Sequence, residues 1–444
     1  VAAQKPHEVK APFGATRQDE YYWLRDDTRK NPEMLAYLAA ENAYADAKLA
    51  SEKPLKEALF KEITGRIAPE DNSVPYFKHG YFYYSRFAAG QDYPVVARRK
   101  GSMDAPEEIL LDENAMGAGK GYFSVGRYEI SPDNRLIAWT EDTVGRRQYV
   151  LKVKEIATGR MLDEAASNME EDIVWADDNR TLFYIDKDPV TLLSKRVKAH
   201  VAGTAASADR LVYSEADDSY YMSLRRTASD RFICIFLSAT TSTEARCAPA
   251  AGNAAFTPVA PRTKDFLYDV DHIGDHWLIQ TNWNAPNYRL MTVKDAGPTG
   301  DRSRWTDLIA PSKDAFIEGF EAMDGFVAVE ERVGANKRVR ILTNAGKSLP
   351  VAADEPAYTM ALDINADPSS DWLRYSYTSM ATPETIYEIN ARTGQRRLLK
   401  TQPVPGYDAA QYQTERVWAV ARDGTKVPIS LFYKKGFRKD GTAA

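Results

Sequence analysis

A set of four short strands that returns about every 45 residues restricts this chain more than any other feature, because that period is the one expected of propeller blades. The copy in residues 358–400 is the most legible. Trp372 to Thr378 places Leu373, Tyr375 and Tyr377 on one face and Trp372, Arg374 and Ser376 on the other, as a pleat with period two requires. Pro383 interrupts the run, and a strand from Thr385 to Ile389 follows. The turn Asn390-Ala391-Arg392-Thr393-Gly394 then leads into Gln395 to Lys400, and a short strand at Tyr358 to Leu362 precedes the group. The unit is a four-stranded meander.

The order recurs upstream. Ser131-Pro132-Asp133-Asn134 precedes strands at Arg135 to Glu141 and Gln148 to Lys154, and the turn Ala157-Thr158-Gly159 precedes Arg160 to Asp163. Another copy begins at Ile173, with the turn Asp177-Asp178-Asn179 and strands at Thr181 to Ile185 and Lys195 to Val201. Fainter copies start near Tyr220, Asp265 and Phe316, and an opening one has strands at Tyr81 to Phe87 and Tyr93 to Arg99. About seven such units imply a seven-bladed β-propeller, in which each sheet buries its faces against its neighbours. A β-sandwich followed by other domains would not need a meander at a fixed period.

The flanks read differently. Asn31-Pro32-Glu33 is a helix start, with a capping side chain, Pro in the first turn and an acid beside the positive end of the dipole. Leu35, Leu38, Asn42, Ala45 and Leu49 share one face of that helix, and Leu55, Leu59, Ile63 and Ile67 line a second. Propeller sheets bury one another, so these apolar stripes are expected to cover a second domain. At the other end, Pro403-Val404-Pro405-Gly406 is a break, after which Gln413 to Ala421 and Lys426 to Tyr433 alternate around the turn Arg422-Asp423-Gly424-Thr425. A lone hairpin is marginal in water, so this one belongs to a sheet whose other strands lie elsewhere. The expected division is 1–73, helical; 74–404, propeller; 405–444, the first hairpin of another domain.

Composition excludes several classes. Hydrophobic residues make up 44% and charged residues 27%, as in ordinary globular chains. A net charge of -5 gives no basic stripe for nucleic acid. No apolar run approaches the eighteen or so residues of a membrane span. Two cysteines, Cys234 and Cys247, flank Thr240-Thr241-Ser242-Thr243, and so few read as free thiols before they read as a disulfide framework. No G-x-S-x-G elbow, Walker loop or zinc-type cysteine pair occurs, and no cofactor is implied. His272 and His276 lie close together among Asp269, Asp271 and Asp275, but turn residues of this kind are ordinarily polar surface, and no metal is expected. Asp26 and Asp27 read as a solvated end or a cap.

Several strings, in order along the chain, resemble oligopeptidase B (protease II) of the prolyl oligopeptidase family of serine peptidases. They are Asp19-Glu20-Tyr21-Tyr22-Trp23-Leu24-Arg25-Asp26-Asp27-Thr28-Arg29, Pro189-Val190-Thr191-Leu192-Leu193, Ser238-Ala239-Thr240-Thr241-Ser242 and Val329-Glu330-Glu331-Arg332, then Tyr377-Thr378-Ser379-Met380-Ala381-Thr382-Pro383 and Ala421-Arg422-Asp423-Gly424. The resemblance implies a seven-bladed propeller set over an α/β-hydrolase domain, with N-terminal helices on the catalytic domain and the first hydrolase strands after the last blade. It also implies cleavage of short peptides after Lys or Arg by a Ser, His and Asp triad. In the family those three residues, and the carboxylates that hold the basic side chain, follow the point where this chain stops. None is assigned here. The expectation is a truncated product or one fragment of a nicked enzyme, inactive alone, whose partners are the missing catalytic segment and short basic peptides.

Within this chain the resemblance directs attention to Gly145-Arg146-Arg147-Gln148, a loop between two strands of the second blade that in the family's architecture faces the interdomain cleft. Arg146 and Arg147 are the candidate gating residues, since a guanidinium fork can clamp a carboxylate on an opposing domain. Gly90-Gln91-Asp92 and Asp142-Thr143 are candidate acidic partners. Adjacent loop arginines are, against that, ordinarily solvated. Two other functions compete: a non-catalytic propeller that binds a peptide or protein, and a propeller glycosidase, which would need paired carboxylates converging near the axis. Val1 stands in place of an initiator Met, and the expected location is cytoplasmic, with the periplasm as the alternative.

Overall fold

The computed structural model describes residues 2–11, 13–253, 255–297 and 299–442, with the backbone alone at 163–165. It comprises two compact units, residues 1–68 and 69–444.

In the first unit, helix α1 (Pro32–Leu49) starts at Asn31, whose side chain accepts from the backbone N–H groups of Glu33 (2.9 Å) and Met34 (3.3 Å). Helix α2 (Lys53–Thr64) follows after one short turn. Asp26 closes the segment before α1 by accepting from the N–H groups of Thr28, Lys30 and Asn31. It is a cap, which these bonds, together with the Thr28 hydroxyl, hold below the usual carboxylate range. Of the residues in α1 only Met34 is buried, and Leu35, Leu38, Leu55, Leu59, Ile63 and Ile67 are exposed.

The second unit is a propeller followed by a hairpin. Five sheets make seven blades, because two of the sheets each hold two meanders. The blades span residues 71–112, 124–169, 169–214, 221–258, 268–309, 315–350 and 359–401. In six of them neighbouring strands pair antiparallel in sequence order, whereas in blade 1 the short strands 71–72 and 76–78 both pair with Tyr81–Phe87. Strand ends fall within a residue or two of the sequence expectation, with one exception. Residues 160–163 do not form a short closing strand; Met161–Trp175 runs unbroken as the fourth strand of blade 2 and the first of blade 3. The alternation that would reveal it is lost at a bulge near Asn168, which takes a positive φ of 58°.

The turns between first and second strands share a conformation. His79, Asn134, Asn179, Asp230 and Gly274 all have left-handed φ, which Asn, Asp and Gly adopt most readily. Blade-to-blade packing is apolar: Phe183, Ile185 and Val197 of blade 3 meet Leu224, Ile233 and Ile235 of blade 4, for example.

The cysteines correct the sequence expectation. Cys234 and Cys247 are not free thiols but form a disulfide, with Cα atoms 4.1 Å apart. The four-residue loop 239–242 sets a register in which they sit directly opposite each other on paired strands.

The terminal hairpin pairs Tyr412–Val420 with Lys426–Lys434 and, among the described residues, no other strand. No helix among those residues is long and apolar enough to cross a membrane.

Candidate functional site

The loops between second and third strands define one face of the propeller, and the hairpin meets it at blades 6 and 7. Glu355 accepts hydrogen bonds from Tyr377 (3.0 Å) and Thr382 (2.9 Å) of blade 7 and from Thr414 of the hairpin (3.2 Å). Arg416 donates to Asn336 at the second loop of blade 6 (2.5 Å), and the Tyr407 hydroxyl to the Ala381 carbonyl at that of blade 7 (2.5 Å). Beyond these anchors the hairpin is bare: Trp418 is 48% exposed and Val420 70%.

Arg146 and Arg147 occupy the same class of loop in blade 2. Their backbone is shaped by Asp142, whose carboxylate accepts from the N–H groups of Val144 (2.8 Å), Gly145 (3.0 Å) and Arg147 (2.7 Å). Burial works to raise the Asp142 pKa, but these donors hold it below the usual range. Asp142 is therefore the architect of the loop and not a partner for its guanidinium groups. Arg147 has a positive φ of 52°, and its carbonyl accepts from Lys187 (3.0 Å). Among the described residues neither arginine side chain has an ion-pair partner, and Asp92 does not reach them.

The opposite mouth of the axis, at the turns between first and second strands, carries a cavity of about 270 Å³. Tyr76, Lys78 and His79 of blade 1, Tyr128 and Glu129 of blade 2, Trp175 of blade 3, Arg226 and Asp230 of blade 4 and Ile364 of blade 7 line it. Its charges are paired between blades. Arg127 lies 2.7 Å from Glu129 and 3.4 Å from Asp172, and Asp172 in turn accepts from the Leu224 N–H of blade 4 (3.1 Å). Arg225 pairs with Asp269 of blade 5 (2.8 Å), and Asp271 accepts from the Ala228 N–H (2.9 Å). Burial pushes the Glu321 carboxyl up to about 7, helped by Asp271 and Glu330 and opposed by Arg225. Asp172, Asp269 and Asp271 stitch the first strands of neighbouring blades together, so these carboxylates are already engaged and are not the converging pair that a glycosidase would need.

His272 and His276 diverge. His276 is half exposed beside Asp275, whereas the His272 ring is fully buried, with Nδ1 2.8 Å from Ser229 Oγ and Nε2 3.3 Å from Asp295 Oδ2. Burial lowers the His272 pKa against the pull of Asp295, so the ring is neutral, donates to Asp295 and accepts from Ser229. The order Ser, His, Asp matches a hydrolytic triad, yet the ring is fully buried, wedged between Phe232 and Trp277. It ties blade 4 to blade 5. No group of residues suited to a metal occurs among the described residues.

Sequence reasoning did not find Glu355 or the His79 and Asp230 pair, whose Nε2 and Oδ2 lie 2.9 Å apart. Their partners are distant in the chain, and a lone acid or histidine in a turn carries no local signal.

The class of fold these residues define is a seven-bladed propeller followed by a β-hairpin. The description "Prolyl oligopeptidase, N-terminal beta-propeller domain" matches residues 1–402, and the chain belongs to that family. Dipeptidyl aminopeptidase BI of Pseudoxanthomonas mexicana is 54% identical over 460 aligned positions, covering 99% of this chain and 63% of its own length. Protease 2 of Moraxella lacunata is 28% identical over 457 positions, with the same coverage of 99% and 63%. Among solved structures, oligopeptidase B from Leishmania major superposes with a TM-score of 0.90 at 28% identity, covering 99% of this chain and 66% of that one. The chain thus spans about 63% of the length of these curated relatives.

Proposed function

We propose that this chain is the propeller, with the first hydrolase hairpin, of a serine oligopeptidase that acts on short peptides and is inert without its catalytic segment. The observation that carries this reading is the hairpin at 412–434, anchored to the propeller through Glu355 and Asn336 yet exposing Trp418, Val420, Val427, Ile429 and Phe432. An apolar sheet edge of that kind calls for further strands. The apolar faces of α1 and α2 have the same need.

Two specificities follow from the relatives. Resemblance to oligopeptidase B favours cleavage after Lys or Arg; the dipeptidyl aminopeptidase that is 54% identical favours release of dipeptides from a free N-terminus. Paired chromogenic amides ending in Arg, one with a free and one with a blocked N-terminus, separate them in the full-length protein. Turnover of both supports the first reading, and turnover of the free form alone supports the second. Hydrolysis of neither, with peptide binding retained, would leave the non-catalytic binding module.

Arg146 and Arg147 are assigned the gating role. They lie in the class of loop that meets the hairpin in blade 6, and among the described residues their guanidinium groups have no ion-pair partner, so they could take a carboxylate from the catalytic domain. The Cys234–Cys247 bridge favours an oxidising compartment over the cytoplasm.

A further inference from the structure

On the hairpin face, between blades 4, 5 and 6, lies a cavity of about 410 Å³. Ala239 and Thr240 in the loop between second and third strands of blade 4, Tyr288 in that of blade 5, and Asp269, Phe316 and Glu318 on the first strands of blades 5 and 6 line it. Tyr288 has a positive φ of 62°, which a bulky residue keeps only where its surroundings hold it. They do so here. Asn287 donates to the carbonyls of Ser312 (3.0 Å) and Lys313 (3.1 Å), and its own carbonyl accepts from the Ile317 N–H (3.0 Å), which pins the loop to the start of blade 6. The Tyr288 ring meets the half-exposed Phe316 ring edge-on, with centroids 5.4 Å apart, and among the described residues its hydroxyl forms no hydrogen bond.

Asp269 adds charge to this aromatic wall. Arg225 (2.8 Å) and the Val270 N–H (2.8 Å) both donate to Oδ1, so among the described residues Oδ2 is left without a hydrogen bond, on a side chain that is half exposed. Among the described residues the carboxylates of Asp269, Asp271, Glu318, Glu321 and Glu330 share three cations, Arg225, Arg332 and Lys337, so negative charge prevails even with Glu321 protonated. Two rings beside an open carboxylate oxygen suit a long side chain with an apolar stem and a cationic head.

We propose that this cavity takes a Lys or Arg side chain of a bound peptide, its stem against Tyr288 and Phe316 and its charge on Asp269 Oδ2 and the Tyr288 hydroxyl. It is a second place where charge on the peptide is read, in addition to the carboxylates that the resemblance to oligopeptidase B puts beyond this chain. That the ligand is a peptide rests on the peptidase reading above; that the cavity takes a cationic side chain does not.

Binding tests the site apart from turnover. The full-length protein is treated with a small phosphonylating serine reagent, so that peptides are not cut. By fluorescence anisotropy, a dye-labelled five-residue peptide with one Lys should bind about tenfold tighter than its norleucine counterpart, which keeps the stem and drops the charge. Asp269→Asn, which keeps the side chain's size, and Tyr288→Asn, which suits the left-handed backbone, should each lower that ratio about fivefold. A change of less than about twofold in either variant that folds overturns the proposal, as does equal weakening of both peptides, which a merely structural role would give. The free amino group is the other cation on such a peptide. If acetylating it abolishes the effect of Asp269→Asn and the norleucine exchange does not, the cavity takes the amino group and the assignment to a side chain fails. A protein that cuts no peptide, yet keeps the Lys preference and its dependence on Asp269, would remove the peptidase reading and leave this site standing.

Discussion

Six of the seven seams between blades are sealed by apolar clusters, and the seventh is not. Clusters join blades 1 and 2 through Leu110, Leu111, Ile137 and Trp139, and blades 3 and 4 through Phe183 and Ile235; the other four have equivalents. Between blades 7 and 1, where the ring closes, there is no such cluster among the described residues. Arg374 donates to the carbonyls of Val74 (3.4 Å) and Pro75 (2.8 Å), and Lys400 reaches Asp71 and the Asn72 carbonyl, each at 2.5 Å. A crevice lined by Val74, Tyr76, Phe77, Phe82, Trp372 and Arg374 runs along this seam. Apolar seams are held by the loss of water-exposed area and are insensitive to salt, whereas the partly exposed Lys400–Asp71 contact contributes little and weakens as ions screen it, leaving the buried Arg374 to hold the seam. The ring is closed most weakly where the chain closes on itself.

The largest effect that sharpens this contrast is expected in a sealed seam. Phe183→Ala should lower stability by about 3–5 kcal/mol in denaturant unfolding, because the side chain is fully buried and its cavity cannot collapse. A loss below about 1 kcal/mol would mean that the seam is looser than its packing. Removal of the disulfide, as Cys234→Ala with Cys247→Ala, should cost about 3 kcal/mol, and reductant should lower the melting temperature of the unsubstituted protein alone. Since that bridge lies within one blade, the loss should leave exchange rates at the open seam unchanged.

Charge at the inner strands gives a pH signature. The Glu321 pKa is raised to about 7 in the fold against 4.5 as the ordinary value, so the folded state holds the proton more tightly than the unfolded one. Its contribution is complete below the ordinary value and is lost as pH rises through about 7. Glu321→Gln should therefore remove a downward slope in stability between those pH values, with a gain at pH 8 of no more than about 3 kcal/mol. An unchanged slope would show that Glu321 ionises freely.

Lys400→Ala, at the open seam, should cost under about 1 kcal/mol, and half a molar salt should erase most of the difference. Amide exchange in residues 71–78 should nonetheless quicken in that variant before exchange at any sealed seam does. The smallest change expected is in catalysis: Arg147→Ala in the full-length enzyme should alter kcat/KM for a five-residue peptide by about threefold, in a salt-dependent way, and leave reaction with a small serine reagent alone. Identical kinetics across a range of salt would remove the arginine pair from the gate.

The blades were legible in the sequence because each carries turn residues at both ends of its hairpins, and turn chemistry is local. Asn390 to Gly394 announces a turn whatever surrounds it. The disulfide was within reach as well, since a four-residue loop between two alternating runs already dictates that residues 234 and 247 face each other; the scarcity of cysteine argued the other way. Of the candidate site, Arg146 and Arg147 stood out as a basic pair, while the role of Asp142 beneath them did not, because its partners are backbone N–H groups that no side-chain pattern reveals. The hydrogen bond between His79 and Asp230 spans 151 residues and had no local trace.

The strand from Met161 to Trp175, shared by blades 2 and 3, has a mechanical meaning. Two plates that share one hydrogen-bonded strand resist turning about the joint between them, because a turn must be absorbed at the bulge near Asn168 or break ladder hydrogen bonds. A twist applied at one part of the rim must then be taken up by the remaining joints, as in a folding screen with one hinge welded. The unwelded joint with the least friction lies between residues 71–78 and 374–400.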